Sequence, residues 1–147
     1  MRIVAVCGAA VLAVVGGAAP GAGAADAPAA GLAYHGSAVL SAGRVDVRFT
    51  PRNDGPKAVP DSTVRLRWSA PLAERQTLPK GCARADERTV TCPVGALAAG
   101  RTGQRIAVRV RLTGAPSEVL LEFATTPGGG AGTQRVLVLD TGDTYYF

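Results

Sequence analysis

From Tyr34 onward the hydrophobic residues recur with a period of two. Val45, Val47 and Phe49 alternate with Asp46 and Arg48, and Val64, Leu66 and Trp68 alternate with Arg65 and Arg67. Ile106, Val108, Val110 and Leu112 alternate with Ala107, Arg109 and Arg111, and Val119, Leu121 and Phe123 share one side. This pattern marks strands with one face on a core and the other in water. Turn residues punctuate the runs: Asn53-Asp54-Gly55-Pro56, Leu78-Pro79-Lys80-Gly81, Ala99-Gly100, Gly114-Ala115-Pro116 and the glycine-rich stretch 127–132. The predicted strands are about 36–41, 44–50, 62–69, 76–84, 88–93, 104–112 and 117–125, with an eighth over 134–139. Val136 to Leu139 is apolar on both faces, as in a strand inside a sheet or under a loop. Segments 70–75 and 95–100 admit a helical turn, but neither is long enough for a stable helix. The fold class is therefore all-β, an antiparallel sandwich or barrel with a core of roughly 20–25 apolar side chains.

The first 33 residues break this pattern, with Arg2 and Asp26 as their only charges. Arg2, the uncharged run Ile3 to Ala19, Pro20 and the small-x-small triplet Ala22-Gly23-Ala24 predict a secretory signal peptide over 1–25, cleaved near Ala24 and Ala25. The competing reading is a membrane anchor. The run has 17 residues, interrupted by Gly8, Gly16 and Gly17, whereas a span needs roughly 20. No other stretch approaches one, so the mature chain is expected to be secreted and to lack a transmembrane segment. Residues 26–35 read as a flexible leader and 36–147 as one domain. Losing Arg2 lowers the formal charge from +5 to +4. Lys57 and Lys80 are the only lysines, and arginine dominance with abundant Ala and Gly points to a GC-rich coding genome.

Cleavage also removes Cys7, leaving Cys82 and Cys92 in an oxidising compartment. A hairpin turning at Asp86-Glu87-Arg88 sets these two opposite each other, both five residues from Glu87. The expectation is a disulfide. The alternatives are a metal site, which needs more ligands than the single histidine His35 supplies, and thiol chemistry, which favours a Cys-x-x-Cys spacing absent here. No metal or cofactor is expected.

"NDGPKAV", "LPKGCARADERTVTCPVGALAAG" and "IAVRVRL" together resemble the bacterial extracellular Ig-like repeat called domain of unknown function eleven. The matching residues are Asn53, Gly55, Pro56, Leu78, Pro79, Cys82, Cys92, Gly95, Leu97 and Gly100, and the resemblance covers about 45–125. It implies an Ig-like antiparallel β-sandwich of seven to eight strands with one disulfide, on an exported or surface protein, and no enzyme. The chain departs from the family in carrying one copy, no sorting signal and no paired Asn before the last strand.

With an Ig-like strand order, strands 44–50 and 104–112 share a sheet. Arg48, Arg105, Arg109 and Arg111 then line one outer face, either as a plain solvated surface or as a docking site for a polyanion. Arg65 and Arg67 would face Glu118 and Glu122 across strands. Trp68 reads as core near the disulfide, with a carbohydrate platform as its alternative, and His35 as a surface residue. Asp140-Thr141-Gly142 has the form of an aspartic-protease loop, but five residues follow Gly142, too few for a flap or cleft, so a strand running into a turn is expected. The aromatic tail Thr144 to Phe147 is expected to pair back as a short edge strand over apolar surface, and it is the one functional candidate there. The functional expectation is a secreted Ig-like binding or structural module, not an enzyme. Its partner is an extracellular protein or an anionic envelope polymer rather than nucleic acid, because few aromatics are free to stack on bases. The alternative is a small inhibitor of a protease or glycosidase, with 70–81 or 127–133 as its reactive loop.

Overall fold

The computed structural model describes residues 31–126 and 135–147. Residues 1–25, expected as a signal peptide, most of 26–35, expected as a leader, and the loop 127–133 lie outside these described residues. Among the described residues nine strands run in chain order: β1 (Leu32–Ser41), β2 (Arg44–Asn53), β3 (Val59–Trp68), β4 (Ala83–Asp86), β5 (Thr89–Leu97), β6 (Ile106–Arg111), β7 (Glu118–Thr126), β8 (Arg135–Asp140) and β9 (Thr144–Tyr146). They form a four-stranded sheet, β6-β2-β1-β9, and a five-stranded sheet, β4-β5-β3-β7-β8. The ladders within both sheets are antiparallel. Adjacent β2 and β3 lie in different sheets, as do β5 and β6, and β6 and β7, which is the Greek-key order of an Ig-like sandwich.

The alternation seen in the sequence sorts the faces as expected. Val45, Val47, Phe49, Val64, Leu66, Trp68, Val108, Val110, Val119, Leu121 and Phe123 are all buried between the sheets. Among the described residues the core holds 23 hydrophobic residues, within the range expected of a sandwich of this size. Tyr34, Phe49 and Phe123 pack as an aromatic cluster with ring centroids 5.4–5.8 Å apart. The Tyr34 hydroxyl meets Thr125 Oγ1 at 2.5 Å, a polar link from one sheet to the other. Burial pushes the Tyr34 phenol pKa up, and the bond to Thr125 opposes this only in part.

Several boundaries differ from expectation. β1 begins at Leu32, and Leu32 and Tyr34 are buried, so the sandwich takes in residues assigned to the leader. Segment 76–84 is a strand only from Ala83, because Cys82 N–H closes a turn onto the Pro79 carbonyl and Gly81 sits at φ 90°. Residues 70–75 and 95–100 form no helix, in keeping with their length. β8 is an edge strand rather than an interior one, and Val136 and Val138 are exposed. Arg67 stands opposite Glu122, but Arg65 stands opposite Ala124, and Glu118 opposite Asp140.

The Asp140-Thr141-Gly142 stretch is the corner where the chain changes sheets. Thr141 N–H donates to the Ser117 carbonyl in one sheet's connection and Gly142 N–H to Leu40 in the other sheet. Asp143 N–H then closes the turn on Asp140. After the corner, β9 pairs with β1, and Gly36 and Phe147 exchange both backbone hydrogen bonds, at 2.8 and 3.0 Å. Only glycine fits there, since a Cβ on Gly36 would lie 1.9 Å from the Arg48 carbonyl oxygen.

Cys82 and Cys92 form the expected disulfide, with Cα atoms 4.2 Å apart. It staples the β4–β5 hairpin within one sheet and does not join the two sheets. The exposed edge strand β4 is thereby fastened to Cys92, which is buried. Trp68 is fully buried. It is four residues along β3 from Val64, the partner of Cys92, so about 13 Å from the disulfide rather than beside it.

Candidate functional site

The outer face of the four-stranded sheet is built by the residues that alternate with the core. β2 and β6 pair so that Arg44 faces Arg111, Asp46 faces Arg109 and Arg48 faces Ala107, with Arg105 just before β6. All four arginines singled out in the sequence (Arg48, Arg105, Arg109 and Arg111) therefore share this face. They line an open depression of about 740 Å³, joined by Arg44 and Arg75.

Arg75 comes from a segment that leaves the five-stranded sheet after β3 and lies along the free edge of β6. Leu72 bridges to Leu112, and Ala73 N–H donates to the Arg111 carbonyl. The Gln76 side chain closes the join: its Nε2 donates to the Arg111 carbonyl at 2.7 Å and its Oε1 accepts from Arg111 N–H at 2.9 Å. Arg84 clamps the segment from the other side, donating to the Leu72, Ala73 and Glu74 carbonyls at 2.8–3.3 Å. Position 75 is thus held over the depression by contacts that its neighbours make with residues far along the chain, from Arg84 to Leu112.

Asp46 is the only carboxylate among the lining residues. Arg109 donates to it at 2.9 Å and Arg48 at 3.3 Å. Burial works to raise the Asp46 carboxyl pKa, but the hydrogen bonds and charges of Arg109 and Arg48 outweigh it and hold it below the usual value. Among the described residues, Arg44, Arg75, Arg105 and Arg111 make no ion pair. Six guanidinium groups around one carboxylate leave a strongly positive, solvent-facing surface.

The depression continues over the sheet toward β9. Ser37, Val39 and Ser41 of β1 line a neighbouring hollow with Arg44, Asp46 and Arg48. A third hollow is lined by His35, Ser37, Arg48, Thr50, Arg105 and Tyr146, among others. His35 Nε2 lies 3.9 Å from Asp54, which Arg52 also holds at 2.6 Å. Trp68 is sealed in the core, so it cannot be a platform, while Tyr146 is 80% exposed. The sequence pattern found Arg48, Arg105, Arg109 and Arg111 but not Arg44 at the start of β2. It missed Arg75, which reaches the face through a crossing loop, and it pointed to the terminal aromatics as a group without placing Tyr146 beside the arginines.

These features define an Ig-like sandwich with one outer face committed to positive charge. No protein-family model matches the sequence, and no curated protein matches it. Among solved structures, the chain is similar to an uncharacterized protein from Nocardia farcinica with an immunoglobulin-like fold. The similarity is at 16% identity and a TM-score of 0.40, over 71% of this chain and 81% of that one.

Proposed function

We propose that this chain is an exported, non-enzymatic Ig-like module, of the domain of unknown function eleven type, that docks to an anionic polymer of the cell envelope. The observation that carries the reading is the depression on β2 and β6, where six arginines surround one carboxylate. Arginine is well suited to the task because its planar, always-charged fork pairs with carboxylate or phosphate groups. The face lacks the apolar, charge-poor centre of a protein–protein interface, which favours a polymer over a protein partner. Export is supported by the signal-like pattern of 1–25 and by the disulfide, which persists in oxidising compartments. Among the described residues, no helix is long and apolar enough to cross a membrane.

The inhibitor reading gains nothing from 70–81. The carbonyls of Leu72, Ala73 and Glu74 are engaged by Arg84, and the Ala73 amide and the Gln76 side chain by Arg111, so 72–76 is a strap rather than a protruding loop.

Chromatography of the mature protein on an immobilised polyanion tests the reading. The protein is expected to be retained and to elute with rising salt, since exposed charges are screened within about 10 Å at 0.1 M. Arg105→Glu/Arg111→Glu is expected to elute at far lower salt with an unchanged melting temperature. Failure of the wild type to bind, or equal elution of the variant, overturns it.

A further inference from the structure

We propose that the arginine face recognises a glycan: the ring of Tyr146 is the platform for a sugar ring of an anionic polysaccharide, whose acidic groups on neighbouring units meet Arg48 and Arg105. This rests on the polyanion reading above and names the class of polymer.

Three observations carry it. First, Tyr146 is displayed and not merely uncovered. Its neighbours in sequence are both held, Tyr145 half-buried against the core and Phe147 bonded to Gly36 on both sides of its peptide. The backbone is pinned, so the exposed ring costs little freedom to use. Second, its surroundings suit a sugar. His35, Ser37 and Thr50 offer donors and acceptors in the same hollow, of about 340 Å³, and the arginines Arg48 and Arg105 complete its rim. A flat ring receives the apolar C–H face of a pyranose, while polar neighbours receive its hydroxyls.

Third, the spacing is that of a chain. Ser37 pairs with Tyr146 on one side and with Arg48 on the other. Tyr146 and Arg48 are therefore two strand spacings apart, about 10 Å. Their side chains spring from backbones that far apart, so acid groups on units next to the stacked sugar fall within reach of Arg48 and of the arginines beyond it. The hollows share Arg48, and two of them share Arg44, Asp46 and Arg109, so the track runs across the sheet from Tyr146 to Arg75. One aromatic with hydroxyl-bearing neighbours also separates this face from a single-strand nucleic-acid groove, which stacks successive bases on several rings.

Binding of the mature protein to four probes tests the inference: polygalacturonate as a carboxylated glycan, phosphomannan as a phosphorylated one, inorganic polyphosphate as a sugar-free polyanion, and oligothymidylate. The expected result is that Tyr146→Ala weakens binding of at least one glycan about tenfold, leaves polyphosphate within about twofold, and that Tyr146→Phe restores the glycan affinity. The glycan that responds identifies the acidic group. Galacturonic acid monomer is expected not to compete, whereas its oligomers do. Equal effects of Tyr146→Ala on the glycans and polyphosphate, or no effect on either glycan, overturn the inference while leaving the polyanion reading intact. Tyr146-dependent preference for oligothymidylate also overturns it. Absence of binding to every probe overturns both.

Discussion

At the residue scale, the decisive choices are polar groups with several partners. Asn53 is fully buried, and its side chain donates to the Lys57 and Leu97 carbonyls at 2.8 and 3.1 Å while accepting from Gly55 N–H at 3.0 Å. One amide thus closes the turn after β2 and ties it to the end of β5. The Asn-x-Gly spacing was legible as a turn, but the long bond to Leu97 was not, because nothing local announces a partner 44 residues away. Asp46 plays the comparable part on the surface. Its folded pKa is depressed, so it contributes stability above its unfolded value of about 3.9, and that stability is lost as pH falls through the lower folded value. Asp46→Asn is therefore expected to lower the melting temperature slightly at neutral pH, with the gap to wild type closing as the pH falls below the ordinary carboxylate range. The same change frees Arg48 and Arg109, so retention on polyanions is expected to strengthen severalfold at pH 7. A gap in melting temperature that persists unchanged down to pH 2 contradicts the account.

At the element scale, period-two alternation predicted which side chains point inward but not which strands are neighbours. Val136 and Val138 show the limit: apolar on both faces, they read as interior, yet β8 is an edge, and they continue an exposed strip with Leu120. The hairpin β4–β5 shows the opposite case. Counting from Glu87 placed the two cysteines face to face, and they are bridged. All four residues of β4 are exposed, so little packing retains that strand apart from its ladder with β5. The disulfide supplies the rest. In the chain-entropy description a loop this short adds about 2.5–3 kcal/mol. The double variant Cys82→Ser/Cys92→Ser is expected to lose about that much in urea unfolding, with the largest gain of amide exchange in β4. Since Arg84 of β4 clamps the 72–74 carbonyls, the same variant is also expected to loosen Arg75 and lower polyanion affinity modestly. Loss of stability without faster exchange in β4 would assign the disulfide a different role.

At the scale of the whole molecule, the two sheets are joined by the core, by the Tyr34–Thr125 contact and by the end of the chain. Phe147 pairs through its backbone with Gly36 in the four-stranded sheet, while its ring lies 5.2 Å from that of Phe123 in the five-stranded one. Arg135 of β8 covers the same ring at 5.5 Å. The terminal aromatics were legible as an edge strand covering apolar surface, but not their division of labour, which depends on a register set by Gly36. Alternation along β9 turns Tyr145 inward and Tyr146 outward, so the segment that latches the sandwich also presents the exposed ring beside the arginines. Stability and binding should then separate by residue. Phe147→Ala removes a half-buried aromatic and is expected to cost about 2 kcal/mol, below the 3–5 typical of a fully buried phenylalanine. Tyr146→Ala is expected to cost less than about 0.5 kcal/mol, as for other exposed positions. Urea unfolding of the two variants measures this directly. Comparable losses from both would mean that Tyr146 is part of the latch, and its exposure would no longer argue for a role in binding.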